Sequence, residues 1–171
     1  MRTCCVLVVM GVSGCGKTTV ARRIATQLGW AFQEGDAFHS AANIAKMHAG
    51  TPLTDVDRTP WLATIEGWID QCRGADRSGV ITCSALKNSY RAQLLQGRAE
   101  VRLLYLRASE AFIAARLRQR VGHFMPAALL HSQFTALEEP GRAAAVCVVD
   151  IEQHALDQIV AQAVVWIGRS A

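Results

Sequence analysis

A glycine-rich segment near the start of the chain carries the residue pattern most directly tied to chemistry. Gly11-Val12-Ser13-Gly14-Cys15-Gly16-Lys17-Thr18 fits the pattern G-x-x-x-x-G-K-[ST]. The glycines let the backbone turn its N–H groups toward a phosphate, and a helix N-terminus adds partial positive charge. We therefore expect Lys17 to bridge the β- and γ-phosphates of a nucleotide, and the Thr18 hydroxyl to bind Mg²⁺. Thr19 is expected to support the α-phosphate.

Cys15 occupies a position of this loop where the pattern allows any residue. Its backbone N–H is expected to matter for phosphate binding, whereas its thiol is not. A reactive thiol is the alternative, because a helix N-terminus can lower the pKa of a cysteine.

An acidic turn, Glu34-Gly35-Asp36, follows about 18 residues after the phosphate-loop lysine. The carboxyl ends of adjacent parallel strands face one crevice, so this turn is expected beside the γ-phosphate. We predict that Glu34 holds Mg²⁺ through water and that Asp36 accepts the proton of an acceptor hydroxyl. An ordinary acidic turn is the alternative, since Asp and Gly are common turn residues.

Alternating apolar strands and amphipathic helices predict the scaffold for these residues. The strand candidates are 4–10, 79–83, 101–106, 145–150 and a weaker one at 31–34. Helices are predicted after the glycines, from Pro60 as a first-turn residue, after a Ser109 cap, and from Leu156 to Gly168. This order predicts a mainly parallel five-stranded sheet with helices on both sides, in one domain spanning residues 1–171.

Composition narrows the class of protein. The chain is 51% hydrophobic and 19% charged, which is ordinary for a soluble globule. Its net charge of +4 is scattered, which favours small anionic molecules or a merely solvated surface over nucleic acid. The six cysteines form no CxxC pair and indicate reduced thiols in a cytoplasm. No segment has the length of a signal peptide or a membrane span, so we expect no membrane partner.

A phosphate loop alone does not distinguish kinases from GTPases or ATPase motors. The segment Thr82-Cys83-Ser84-Ala85-Leu86-Lys87 is like the guanine loop of small GTPases, but no NKxD sequence is present to read guanine.

Several further motifs resemble the gluconate kinases, a branch of the P-loop kinases that also include shikimate and adenylate kinases. The matching stretches run through nearly the whole chain: MGVSGCGKT (10–18), EGDAFH (34–39), NIAKM (43–47), GTPL (50–53), DVDRTPW (55–61), CSALKNSYR (83–91), GHF (122–124) and QFTALEEP (133–140). The resemblance implies a three-layer α/β/α P-loop fold, nucleoside-monophosphate-kinase-like, with a mobile lid at about 116–132 and an acceptor region at about 36–75. It also implies transfer of phosphate from Mg·ATP to O6 of D-gluconate, carbohydrate-acid catabolism and a homodimer.

D-Gluconate has a carboxylate at one end and the reacting primary hydroxyl at the other. Cations for the carboxylate are expected from Arg58, Lys87 and Arg91, and shorter polar contacts from Ser84, His39 and Asp36. Each assignment has an alternative. Arg58 could pair with Asp55 or Asp57, Lys87 and Arg91 could form a solvated stripe, and His39 could only hydrogen-bond the turn.

The lid segment contributes further cations. Arg116 and Arg120 are four residues apart, so a helix would point both toward the same phosphate oxygens. An arginine at the transition state is worth about 10³ to 10⁵ in rate in other phosphoryl-transfer enzymes, and Arg120 is the preferred candidate. His123 is expected to contact phosphate or gluconate. The remaining alternatives are another small-metabolite kinase, such as a shikimate-type enzyme, and a nucleotide-binding regulator without activity.

Overall fold

The computed structural model of the chain describes residues 4–119 and 127–169. Its centre is a five-stranded parallel sheet in the order β2-β3-β1-β4-β5. The strands are β1 (Val6–Met10), β2 (Ala31–Gln33), β3 (Gly79–Thr82), β4 (Val101–Arg107) and β5 (Val146–Asp150). Each coincides with a predicted strand to within two residues, so the predicted five-stranded parallel sheet and α/β fold class are confirmed.

Helices connect the strands. They are α1 (Lys17–Leu28), α2 (Ala41–His48), α3 (Asp55–Gly74), α4 (Asn88–Leu95), α5 (Glu110–Gln119), α6 (Ala127–Ala136) and α7 (Leu156–Gly168), with a 3₁₀ turn at Gly35–Phe38. The Ser109 hydroxyl accepts the N–H of Phe112 at 3.2 Å and begins α5 as predicted. No helix in the described residues is both long and apolar enough to cross a bilayer.

The predicted start of α3 is wrong. The helix begins at Asp55, so Pro60 lies inside it rather than in its first turn. Thr54 and Asp57 form a capping box in which each side chain accepts the backbone N–H of the other. Pro60 lacks the N–H that would bond the carbonyl of Val56, but Val56 is 82% exposed, so water can reach that carbonyl. The earlier start places two acidic residues and Arg58 in the first turns of α3.

The sheet has an apolar core on each face. Leu7 and Val9 of β1 pack with α1, α5 and α7 on one side, while Val6, Val8 and Met10 pack with α3 and α4 on the other. This alternation follows from the pleat of a strand that is buried on both faces. Because all strands are parallel, the segments that follow β1, β2 and β3 leave the sheet on the same side, at the carboxyl ends of the strands.

Candidate active site

The phosphate loop joins the end of β1 to the start of α1. Gly16 is the N-cap residue of α1 and has a φ of 99°, in the left-handed region that favours glycine. Lys17 folds back along the loop, where its Nζ donates to the carbonyls of Gly11 at 3.1 Å and Val12 at 3.0 Å. Thr18 and Thr19 follow on the exposed side and line a cleft. The loop therefore has the strand, turn and helix context that its pattern requires.

Cys15 is buried beneath the loop rather than presented to solvent. Its side chain is 2% exposed, and burial raises the pKa of its thiol above the ordinary value. Nearby Lys17 opposes that shift without reversing it. The alternative of a reactive thiol at Cys15 is therefore wrong, because the thiolate is disfavoured and the sulfur is covered.

Asp36 is carried by the 3₁₀ turn that follows β2, and Gly35 fixes that turn against the sheet. The N–H of Gly35 donates to Thr82 Oγ1 at 2.9 Å, and Trp61 Nε1 donates to the carbonyl of Gly35 at 2.8 Å. A Cβ at Gly35 would lie 1.9 Å from the carbonyl oxygen of Thr82, so only glycine allows this approach. Asp36 is thereby held at the cleft, which it lines together with Lys17.

Glu34 has a different environment from Asp36. Its carboxylate accepts a hydrogen bond from the hydroxyl of Thr82, and it does not line the cleft. Within the described residues, no group of three or more His, Cys, Asp or Glu side chains could hold a metal ion. Mg²⁺ in nucleotide sites needs only one or two protein ligands beside phosphates and water, and Thr18, which carries a hydroxyl, lines the cleft. Thr18 therefore suits Mg²⁺ bound together with a nucleotide.

His39 stacks on Trp61 at the wall of the cleft. The two rings are 4.4 Å apart at 13°, and His39 is 9% exposed. Its backbone N–H bonds the turn at the carbonyl of Asp36, but its ring Nδ1 is buried with no partner among the described residues. Burial lowers the pKa of the imidazole and outweighs the opposing effect of Asp36. The ring is therefore held neutral, with a polar atom left for a ligand.

Lys87 and Tyr90 meet Asp55 beside the cleft. Lys87 Nζ donates to both carboxylate oxygens of Asp55, at 2.7 and 2.9 Å, and the hydroxyl of Tyr90 also donates to Asp55. These hydrogen bonds, with that of Lys87 the strongest, lower the pKa of Asp55. The charge of Lys87 is thus partly neutralised by a residue of α3.

Arg58 lines the cleft without a carboxylate partner among the described residues. Asp55 is bound by Lys87, and Asp57 is bound by Lys46, which is the main cause that lowers the pKa of Asp57 to about 2. The guanidinium of Arg58 lies 6.0 Å from the centre of the Tyr90 ring. The alternative in which Arg58 pairs with Asp55 or Asp57 is therefore not what the structure shows.

Arg91 is turned away from the cleft. It is 6% exposed and donates to the carbonyls of Ala85, Leu86 and Glu138 at 2.7 to 2.9 Å, and also to the side chain of Asn88. It does not line the cleft. The structure thus separates Arg91 from Lys87, which precedes α4, and gives Arg91 the role of tying chain segments together. The solvated stripe considered for this pair is absent as well.

The cleft has a volume of about 930 Å³ and unites most of the predicted site. Predicted residues that line it are Ser13, Gly14, Gly16, Lys17, Thr18, Thr19, Asp36, His39, Arg58, Ser84 and Lys87. Residues that the prediction of the site missed include Met47, His48, Thr54, Asp55, Tyr90, Ser132 and Gln133. Asp55, Tyr90 and Gln133 lie within the family-like stretches, which was the available signal. Their polar side chains in these stretches could have predicted them as site residues, as for Arg58 and Lys87.

Of the predicted lid residues Arg116, Arg120 and His123, the structure describes Arg116 alone. Arg116 is on α5, and its Nη2 lies 3.7 Å from the position that a Cβ on Gly16 would take, so it reaches the phosphate loop. Arg120 and His123 lie outside the described residues. On the other side of that gap, Gln133 of α6 accepts the N–H of Ser13 through Oε1 at 2.7 Å.

Comparison with known proteins shows which family the chain belongs to. A family model described as an AAA domain matches residues 6–140. A gluconokinase of Gluconobacter oxydans (strain 621H) is 53% identical over 148 residues, which are 86% of this chain and 83% of that protein. The chain belongs to the gluconokinase family. The resemblance predicted from the motifs is therefore confirmed.

Solved structures agree with this family assignment. A sugar kinase from Janibacter sp. HTCC2649 superimposes with a TM-score of 0.90 at 45% identity, covering 96% of this chain and 95% of that one. A gluconokinase from Sinorhizobium meliloti 1021 gives a TM-score of 0.87 at 41% identity, covering 99% and 94%. The P-loop kinase fold predicted from the sequence is thus that of a solved gluconokinase and of a solved sugar kinase.

Proposed function

We propose that this chain transfers the γ-phosphoryl group of Mg·ATP to O6 of D-gluconate, giving 6-phospho-D-gluconate and ADP. The observation that carries the proposal is the single cleft lined by the phosphate loop with Lys17, by Asp36 and by the cation of Arg58. A triphosphate bound at the loop and a gluconate carboxylate bound at Arg58 would place the primary hydroxyl of gluconate between them. Membership of the gluconokinase family supports this choice of acceptor.

Nucleotide binding is assigned to the loop from Gly11 to Thr19 with Arg116. The backbone N–H groups and the N-terminus of α1 receive phosphate oxygens, and Lys17 leaves its loop carbonyls for the β- and γ-phosphates. Thr18 would hold Mg²⁺, with Glu34 as its acidic partner through water. Bound Mg²⁺ would neutralise charge on the β- and γ-phosphate oxygens.

Asp36 is assigned as the general base. Its carboxylate accepts the O6 proton as a bond forms between O6 and the γ-phosphorus, while the bond from that phosphorus to the β-γ bridging oxygen breaks and ADP leaves. The clamp of Gly35 between Thr82 and Trp61 holds the carboxylate in place for this step. Preorganisation of this kind supplies much of the rate in phosphoryl transfer.

Acceptor binding is assigned to Arg58, His39, Ser84 and Lys87. Arg58 is the proposed partner of the gluconate carboxylate, because the donors of Arg91 are used within the fold and Lys87 already binds Asp55. His39 offers a neutral ring whose Nδ1 can exchange a hydrogen bond with a sugar hydroxyl. Lys87 and the Asp55 carboxylate together offer a donor and an acceptor for further hydroxyls.

Other parts of the proposal rest on the family resemblance and on the sequence. Arg120 would stabilise the transferred charge, His123 would contact phosphate or gluconate, and residues 116–132 would close as a lid that excludes water. A homodimer working in the cytoplasm, in carbohydrate-acid catabolism, completes the proposal.

Acceptor-dependent ADP release tests the proposed reaction. Purified protein with Mg·ATP should release ADP rapidly with D-gluconate and at least about 10²-fold more slowly with shikimate or a nucleoside monophosphate, which lack the matched carboxylate and hydroxyl spacing. Preference for one of those acceptors would replace gluconate. ATP turnover that no acceptor accelerates would indicate a nucleotide-binding regulator.

A further inference from the structure

One peptide group of the phosphate loop, between Val12 and Ser13, is held from both sides. Its carbonyl accepts Lys17 Nζ at 3.0 Å, and its N–H donates to Gln133 Oε1 at 2.7 Å. The described chain contains no cis peptide bond, so the C=O and N–H of this group point in opposite directions. Lys17 and Gln133 therefore lie on opposite sides of the same peptide.

This contact fixes which way the carboxamide of Gln133 is turned. A backbone N–H needs an acceptor, so the atom facing Ser13 is the oxygen, and the two Nε2 hydrogens belong to the other branch of the amide. Across residues 4–119 and 127–169, Nε2 has no hydrogen-bond partner, although Gln133 lines the cleft. An amide held through its oxygen thus presents two donors at the phosphate loop.

The position of Gln133 indicates which phosphate those donors meet. In loops of this pattern the lysine reaches the β- and γ-phosphates, and here Lys17 and Gln133 flank one peptide. We propose that Gln133 is a further phosphate-binding residue, whose Nε2 donates to an oxygen of the transferred γ-phosphoryl group. This inference rests on the proposed function. A neutral donor on α6 would then share the developing negative charge with Lys17.

Three substitutions of Gln133 separate this donor role from a purely structural one. Gln133→Glu keeps an oxygen for Ser13 but has no donor, whereas Gln133→Lys keeps a donor but has no acceptor. Gln133→Met, which has neither, should lower kcat about 10- to 100-fold, the usual effect of losing a hydrogen bond to a charged group. We expect Glu to be no better than Met and Lys to recover at least a several-fold part of the loss.

Nucleotide affinity gives a second readout that does not depend on turnover. Calorimetry should show binding of a non-hydrolysable ATP analogue to Gln133→Met weakened about 10-fold, with ADP affinity unchanged, because ADP lacks the γ-phosphate. Unchanged ADP affinity also shows that the loop is still folded. Thr135→Ala is the matched control and should match the wild type in both assays, because Thr135 lies on the exposed side of α6 and its hydroxyl donates to the carbonyl of His131 in the same helix.

The opposite pattern would overturn the assignment. If Gln133→Glu is nearly as active as the wild type and Gln133→Lys is as poor as Met, Gln133 acts only by holding Ser13. Equal weakening of ADP and the ATP analogue would lead to the same conclusion. Wild-type protein that binds both nucleotides but does not phosphorylate gluconate would refute the proposed function while leaving the binding comparison valid.

Discussion

Asp36 reaches the cleft because its neighbour has no side chain. Gly35 packs its backbone directly against Thr82, and that contact, together with Trp61, sets where the next residue points. The sequence predicted the role of Asp36 from its type and its place after a strand. It could not predict that Glu34, two residues earlier, would turn to the Thr82 hydroxyl, because that depends on packing between β2 and β3.

Replacement of Asp36 by Asn should separate chemistry from nucleotide binding. The amide is close in size but cannot accept the acceptor proton, so kcat should fall by about 10² to 10⁴ while ATP affinity stays within a few-fold. Steady-state kinetics combined with ATP titration measures both. Near-normal turnover would remove Asp36 from the role of base. Asp157→Asn, an exposed carboxylate on α7, is the control and should leave turnover unchanged.

His39 should make stability depend on pH. Burial holds the pKa of His39 in the folded state below its ordinary value of 6.5, so below about that pH the unfolded chain binds a proton that the folded chain does not. Stability should therefore fall as pH is lowered through this range, by at most about 1.4 kcal/mol per pH unit for one proton. His39→Gln should reduce this fall, measured by denaturant unfolding at about pH 7.5 and 5.5.

An exposed histidine provides the control for that experiment. His131, on α6, is largely exposed and bonds Glu110, so His131→Gln should not reduce the acid loss of stability in the same way. If His39→Gln and the wild type lose the same free energy of unfolding between the two pH values, the imidazole is not held neutral by burial.

Arg58 should determine how well the acceptor binds. Arg58→Lys keeps the charge but loses the forked donor geometry that matches a carboxylate, so KM for gluconate should rise about 10-fold, and about 100-fold for Arg58→Met. KM for ATP should change little. Arg23→Lys, at an exposed ion pair with Asp157, is the matched control. A rise in KM for ATP instead of gluconate would move Arg58 to the nucleotide side.

At the scale of elements, the start of α3 determines which of its residues line the proposed acceptor side of the cleft. Because the helix begins at Asp55, its first turns carry both Asp55, which binds Lys87, and Arg58. Proline at a first turn is a strong statistical preference, and it led the prediction to begin the helix too late. The Thr54 and Asp57 capping pattern was present in the sequence and is what the structure uses.

Loss of the Thr54 cap should destabilise α3. Thr54→Ala removes the acceptor for the N–H of Asp57 and should lower the free energy of unfolding by about 1 kcal/mol, the usual cost of losing an N-cap side chain. Denaturant unfolding measures this. Thr64→Ala, whose exposed hydroxyl bonds Pro60 within the same helix, should cost clearly less. Equal losses for the two variants would mean that the cap contributes nothing specific.

At the scale of the whole molecule, the sequence predicted the layers better than the contacts between them. Apolar runs identified β1, β3, β4 and β5, since a strand covered on both faces needs apolar residues at most positions, whereas the half-buried β2 had a weaker signal. The order of the strands, the burial of Arg91 and the bond between Ser13 and Gln133 join segments far apart in the chain. No local pattern encodes such contacts. This is why the sequence predicted Arg91 as a substrate-binding residue and predicted no role for Gln133.

The most direct test of the proposed reaction identifies its product. After incubation with Mg·ATP and D-gluconate, a proton-coupled ³¹P NMR spectrum should show ADP and a phosphomonoester whose phosphorus couples to the two protons on C6. That result would place the phosphoryl group on the primary hydroxyl. A spectrum with only ADP and inorganic phosphate, or an ester coupled to a single proton, would contradict transfer to O6 of gluconate.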